Sequence, residues 1–321
     1  MKMPETGPEL FSLKAKRVWV AGHTGMVGSA LVRRLQSEDC EILTAGRGDL
    51  DLCDQDAVHA WVAQEKPDAV FLAAATVGGI DANRSRPADF IYNNLSIETN
   101  IIHAAWKNDV GKLMFLGSSC VYPKLAPQPM REEDLLGGPL EPTNQWYAIA
   151  KIAGIMLCQA FRQQHGCDFI SAQPTNLYGL KDNFDLQSSH VLPALLAKAH
   201  QAKTEGAKSM DVWGSGNPKR EFLFTDDLAD ALVHMMKHYS DDIQINIGIG
   251  EDISIREAAE LVCRVVGFTG DLAYDTSMPD GTPRKLLNVD RLAGMGWTAG
   301  TSLEDGLRIT YDWYLENHVN A

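Results

Sequence analysis

The chain has 321 residues, enough for about two domains of roughly 150 residues each. Its 45% hydrophobic and 22% charged content is that of a globular protein with a sizeable core and excludes a disordered chain. With 29 Lys and Arg against 42 Asp and Glu, a net charge of −13, it lacks the basic face that nucleic acid or an anionic membrane requires, so any anionic ligand must be held by a local cluster of positive groups.

Met1–Arg17 mixes Glu5, Glu9, Lys14 and Lys16 with two prolines and has no apolar signal core. It reads as a flexible tail, residues 1–16, ahead of the first strand. Predicted strands follow at Val18–Gly22, Glu41–Ala45, Ala69–Ala75, Leu113–Ser119 and Phe169–Pro174. Predicted helices lie between them at Ser29–Ser37, Asp54–Gln64, Asp89–Asn108 and Gln145–His165. The strongest apolar run, Ala69–Ile80, falls well short of the ~20 residues of a membrane-spanning helix. Near-continuous apolar strands separated by helices indicate a parallel sheet covered on both faces. The fold class is therefore α/β, a doubly wound parallel sheet of Rossmann type.

After Tyr178-Gly179 the rhythm changes. A helix at His190–Ala202, a strand at Asp211–Trp213 and a turn at Gly214–Pro218 precede a helix at Thr225–His238 and an apolar strand at Gln244–Gly248. Helices at Ser254–Val266 and Ser302–Asn317 flank a loop holding Pro279-Asp280-Gly281-Thr282-Pro283. Thr225 and Ser254 read as N-caps, and Glu257 completes a capping box with Ser254. The expected division is a dinucleotide-binding domain of residues 17–179 and 221–249, interleaved with a smaller α/β substrate domain of residues 180–220 and 250–321. Cysteines 40, 53, 120, 158, 167 and 263 form no C-x-x-C pair, as expected of reduced thiols in a cytoplasm, most of them packing in the core. His234 and His238 have a zinc-like spacing, but no Glu follows the first His and no third ligand is evident, so no metal is expected.

The chemistry begins at Gly22-His23-Thr24-Gly25-Met26-Val27-Gly28, between the first strand and the first helix. Glycines there let the backbone turn sharply and approach a pyrophosphate, which then sits at a helix N-terminus. The end of the second strand reads Thr44-Ala45-Gly46-Arg47, without the acidic residue that accepts from a ribose 2′-hydroxyl. A guanidinium suits a 2′-phosphate instead, so NADP(H) is the expected cofactor. Asp51 and Leu52 are placed to line an adenine pocket. Further on, Tyr147-Ala148-Ile149-Ala150-Lys151 puts a phenol and an ammonium one helical turn apart, where the cation is expected to lower the phenol's pKa. Lys151 is the only charged residue between Gln145 and Phe161, and a lone charge on a helix apolar on nearly every side needs a specific partner. Ser118, at the end of the fourth strand, can hydrogen-bond the oxygen that Tyr147 protonates.

Glycine loop, strand-end Ser and Y-x-x-x-K, in that order, resemble the extended short-chain dehydrogenase/reductases. Ala75–Ile80, Ser118–Pro123, Pro174–Gly179, Ser189–Val191, Val212–Gly214, Arg220–Phe222 and Asp280–Lys285 narrow the resemblance to its 3,5-epimerase/4-reductases of a GDP-linked 4-keto-6-deoxy sugar. The resemblance implies Cys120 and His190 as the proton-transfer pair at C3 and C5, with Ser118, Tyr147 and Lys151 at the C4 carbonyl. Related dehydratases carry Asp-Glu where this chain has Ser119-Cys120. The resemblance also implies that Ala74, Pro174, Asn176, Leu177, Lys151 and His190 contact the cofactor. Asn176, Lys198, Trp213, Arg220, Asp280 and Lys285 would serve the GDP-sugar. Members often carry Arg inside the glycine loop where Thr24 stands, which leaves Arg47 as the expected contact to a 2′-phosphate. A homodimer through a bundle of helices Asp89–Asn108 and Gln145–His165 is expected as well. The alternative is another sugar-nucleotide epimerase or dehydratase that recycles bound NAD.

Overall fold

Apolar strands alternate with amphipathic helices through the first half of the chain. In the computed structural model, which describes residues 7–186, 188–278 and 280–319, these are β1 (Arg17–Ala21), α1 (Met26–Leu35), β2 (Glu41–Leu43), α2 (Gln55–Glu65) and β3 (Ala69–Leu72). They continue as α3 (Ile80–Ser85), α4 (Pro87–Lys107), β4 (Lys112–Leu116), α5 (Gln145–His165) and β5 (Phe169–Pro174). The second half holds β6 (Asn176–Tyr178), α6 (Val191–Thr204), β7 (Ser209–Trp213), β8 (Lys219–Arg220), β9 (Phe222–Phe224), α7 (Thr225–His238) and β10 (Ile245–Ile247). It closes with β11 (Ile253–Ser254), α8 (Ile255–Val266), β12 (Asp271–Asp275), β13 (Arg284–Lys285), α9 (Asp290–Gly294) and α10 (Leu303–Tyr314). Of the residues singled out in the sequence, 1–6 and Pro279 lie outside those described.

Six strands form one parallel sheet in the order β10-β5-β4-β3-β1-β2. Period-2 alternation sends Trp19, Val70, Leu113 and Phe115 to one face against α2, α4 and α5, and Val18, Val20, Phe71 and Met114 to the other against α1 and α7. The strand order reverses between β1 and β3, and in such sheets ligands bind outside the carboxyl ends of the strands at that crevice. A third apolar core, built from α6, α8 and α10 over the β12–β7 and β6–β9 pairs, carries much of the chain after Tyr178. A small β11-β8-β13 sheet sets the loop with Arg284 and Lys285 beside Lys219 and Arg220. Among the described residues no helix is long and apolar enough to cross a membrane.

Several expectations are corrected. Residues 7–16 are no loose tail: Leu13 is fully buried under the sheet, and the Leu10 and Phe11 N–H groups donate to the Lys237 carbonyl at 2.7 and 3.1 Å. Thr225 is not an N-cap but the first residue of α7, after Phe224, and its buried hydroxyl packs against Gly179 without a hydrogen-bond partner. The Ser254–Glu257 capping box is present, with bonds of 3.1 and 2.7 Å. Only Cys158 and Cys263 are fully buried; the other four are half-buried, and all six are free. The His234 and His238 rings donate to the Met295 and Pro8 carbonyls at 3.0 and 3.1 Å. β3 and β4 stop at Leu72 and Leu116, short of the predicted Ala75 and Ser119, because the residues beyond leave the ladder to build the site.

Candidate active site

The chain turns out of β1 at Gly22, whose φ of +89° falls where side chains are strained. A Cβ at Gly22 would lie 2.7 Å from the Ala74 backbone, and one at Gly28 would lie 2.1 Å from the Gly22 carbonyl oxygen. These two glycines seat α1 tightly against the ends of β1 and β3, at the switch in strand order. Gly25 caps α1 without a side-chain bond, so its first-turn N–H groups are left for a ligand. That cradle fits a dinucleotide pyrophosphate. Thr24 and Arg47 are exposed, and Arg47 makes no hydrogen bond or ion pair among the described residues. Asp51 accepts from the Cys53 N–H at 2.9 Å, and the Leu52 carbonyl accepts from Asn100 Nδ2 at 3.0 Å, which holds this loop beside α4.

At the next strand ends, Gly117 allows Gln173 of β5 to come close. A Cβ at Gly117 would lie 2.0 Å from Gln173 Oε1, which instead accepts the Ser118 N–H at 2.8 Å. Ser118 Oγ then accepts from the Cys120 N–H at 3.2 Å and opens a single 3-10 turn, Ser119–Val121. Cys120 Sγ receives two donors, Asn144 Nδ2 at 3.2 Å and Lys285 Nζ at 3.3 Å. Burial pushes this thiol up, but the Lys285 charge and the bonds from Ser118 and Lys285 outweigh it, and the group sits below its ordinary pKa.

Tyr147 lies on α5 facing Ser118 and Cys120, while burial, with the Cys120 and Glu98 charges, pushes its phenol above the ordinary range despite the Ser118 bond. The expectation that Lys151 lowers this pKa is overturned. Lys151 Nζ pairs with Glu98 Oε1 of α4 at 2.9 Å, with side chains 2% and 1% exposed, and sits 5.8 Å from the Tyr147 ring centroid. Its charge is spent on Glu98, so the phenol stays protonated and poised as a donor. Gly154 makes this possible: a Cβ there would lie 2.2 Å from the Phe115 ring, so α5 rides close on β4 and Lys151 Nζ stands 4.8 Å over that ring.

His190, at the N-cap of α6, is held below its ordinary pKa by burial and by the Lys285 charge. The same ammonium thus acts on both Cys120 and His190. Lys285, expected to serve the sugar nucleotide, donates to the Cys120 sulfur at 3.3 Å. Arg220 is its partner in register on β8. Asp280 spends both carboxylate oxygens on Ser215, at 2.7 and 2.8 Å, closing the Gly214–Ser215 turn rather than standing free. Lys198 Nζ lies 4.7 Å over the half-exposed Trp213 ring and donates to the Asp211 carbonyl at 3.3 Å, and these residues line an open cavity of about 730 Å³. Pro174 is buried at the end of β5 and Leu177 half-buried in β6, while Asn176 Nδ2 donates to the Glu221 carbonyl at 2.8 Å.

Glu98, Asn144 and Gln173 are the site residues that the sequence reading missed. For Glu98 a signal existed in the lone Lys151, which needed a specific partner. For Asn144 and Gln173 none did.

The chain is similar to GDP-L-fucose synthase of Sinorhizobium fredii, 60% identical over 96% of this chain and 98% of that protein. It is also similar to GDP-L-fucose synthase of Escherichia coli K12, 54% identical over 95% and 98%. Among solved structures it resembles a GDP-L-fucose synthetase from Naegleria fowleri bound to NADP, with a TM-score of 0.90, 30% identity and 99% of each chain covered. A family model, the NAD dependent epimerase/dehydratase family, matches residues 18–248, and the chain belongs to that family.

Proposed function

We propose that this chain is a GDP-L-fucose synthase, an NADP-dependent epimerase and reductase that turns GDP-4-keto-6-deoxy-D-mannose into GDP-L-fucose. The full-length likeness to enzymes of that name supports the activity. The observation that carries the chemistry is the convergence of Ser118, Cys120 and Tyr147 beside the glycine cradle, with His190 reached through the shared Lys285.

The C4 ketone acidifies the C3 and C5 hydrogens. Cys120, as thiolate, takes a proton from carbon, and the electron pair moves onto the C4 oxygen as an enolate held by Tyr147 and Ser118. His190, protonated beforehand from water, returns a proton to carbon from the opposite face. Tyr147 then donates its proton to the C4 oxygen. NADPH, when bound, supplies the hydride to C4. Gly22, Gly25, Met26, Val27 and Gly28 would hold its pyrophosphate, Arg47 its 2′-phosphate and Lys151 its nicotinamide ribose. Lys198 and Arg220, local cations in an acidic chain, would receive the GDP diphosphate, and Trp213 would offer a flat apolar surface.

The apolar stripe Trp146, Ile149, Ala153 and Met156 on α5, with exposed Tyr92 on α4, suits pairing with a second copy of the chain. Six free thiols suit a reducing cytoplasm. NADPH oxidation against a panel of nucleotide-linked 4-keto sugars tests the activity: one NADPH consumed per sugar supports it, and turnover without net consumption would make this an enzyme that recycles its cofactor. In deuterated water, Cys120→Ser is expected to lose exchange at C3 and C5 while still binding NADPH. Exchange at the wild-type rate would remove Cys120 from the mechanism.

A further inference from the structure

Asn144 occupies the N-cap of α5, where an Asn side chain ordinarily accepts a first-turn N–H and adds about 1 kcal/mol. It makes no such bond. Its Nδ2 is turned instead onto Cys120 Sγ at 3.2 Å, and its Oδ1 is left buried without a partner. A second donor reaches the same sulfur from 165 residues away in sequence: Lys285 Nζ, at 3.3 Å. A helix that forgoes its cap and an ammonium brought onto a thiol are both unexplained by packing. Both are what a sulfur anion would require.

We propose that Lys285 and Asn144 are positioning residues that together cradle the Cys120 thiolate, Lys285 supplying its counter-charge and Asn144 aiming it at the sugar C–H bonds. This rests on the reading of Cys120 as the base and gives Lys285 a task other than binding the sugar nucleotide. Among the groups facing the sulfur, Lys285 on β13 is the cation that acts on it. Tyr147 on α5 is a neutral phenol and Ser118 is a hydroxyl. Burial and the same cation both oppose a proton on His190, so one ammonium bears on both members of the proton-transfer pair. In each epimerisation Cys120 accepts the proton from carbon and later releases it to water, while His190 takes a proton from water before it delivers one to carbon.

The test is the pH dependence of iodoacetamide alkylation at Cys120, followed on the Cys120 peptide by mass spectrometry in the full-length protein. Burial raises the pKa of Cys40, Cys53, Cys158, Cys167 and Cys263, so their peptides serve as internal controls. Lys285→Met should slow alkylation at pH 7 by about tenfold or more and move its midpoint up by about one pH unit, toward a free thiol near 8.5. Lys285→Arg, which keeps the charge, should restore most of the rate. Lys285→Gln carries the same expectation as Lys285→Met should the latter fail to fold. Asn144→Ser supplies a true helix cap, so it should keep or raise stability while slowing alkylation a few-fold, which a purely structural asparagine would not do. An unshifted midpoint in Lys285→Met overturns the proposal. Because alkylation reads the thiol and not turnover, that failure is distinct from Cys120→Ser retaining deuterium exchange, which would overturn the reading beneath it.

Discussion

Replacing Lys151 by Met should unfold part of this protein's stability as well as its chemistry. At 2.9 Å, and with both side chains essentially sealed from water, the Lys151–Glu98 pair has a Coulomb energy of about 6 kcal/mol at an effective dielectric of ~20. Desolvation of both ions cancels most of that, so the pair adds little net stability, yet removing one partner strands the other and costs about 3–5 kcal/mol. Lys151→Met should therefore lose about 3–5 kcal/mol in urea unfolding at pH 8, whereas Lys151→Met with Glu98→Gln should come back to within about 1–2 kcal/mol of wild type. The single variant should also gain pH dependence. Burial holds Glu98 above its ordinary pKa even with its cation present. Without Lys151 the native state keeps this proton well above the unfolded value near 4.3, so stability falls as pH rises past that point, and the deficit shrinks at pH 5. A Lys151→Met variant that fails to fold beside a double variant that folds meets the same expectation. A single variant within 1 kcal/mol of wild type at pH 8, or a double variant no better than the single, would refute a buried coupled pair. Loss of activity in Lys151→Met alone would then no longer be confounded by Glu98.

Arg47→Ala should weaken NADPH binding about 10- to 100-fold, the worth of one charge-assisted bond to phosphate, and leave NADH binding unchanged in fluorescence titrations; equal losses for both cofactors would contradict a 2′-phosphate contact. Gly154→Ala drives a methyl into the Phe115 ring and should cost about 1–3 kcal/mol by overpacking while raising KM for NADPH, since Lys151 moves with the helix; a neutral change in both urea unfolding and KM would show that α5 has room. Asp182 is buried with Oδ2 unpartnered, and burial, opposed by the Asn183 N–H, raises its pKa to about 7. Its native state keeps a proton that the unfolded chain loses near pH 3.9, so stability falls by roughly 3 kcal/mol between pH 4 and pH 7 from this group. Asp182→Asn should remove that slope, its Tm advantage over wild type growing from pH 5 to pH 8; an advantage independent of pH would place the carboxylate in water or in an ion pair.

The sequence by itself determined the parts whose information is local. Alternating apolar strands and helices give a parallel sheet with its crevice beside the first glycine turn. The spacing of Gly22, Gly25 and Gly28 gives a backbone cradle, and the four-residue step from Tyr147 to Lys151 puts both on one face of a helix. Even the need for a specific partner to Lys151 was legible, as a lone charge on an apolar helix. Which groups answer from elsewhere was not. Glu98 comes from the neighbouring helix, Gln173 from the neighbouring strand, and Lys285 from a two-residue strand in another sheet. Such contacts depend on how closely backbones approach, at Gly117 and Gly154 above all, and on where loops deliver their ends, which no short-range periodicity encodes. The same reason reversed the expected electrostatics: an ammonium one helical turn from a phenol lowers its pKa only while it has no nearer anion, and tertiary packing supplies Glu98 at 2.9 Å.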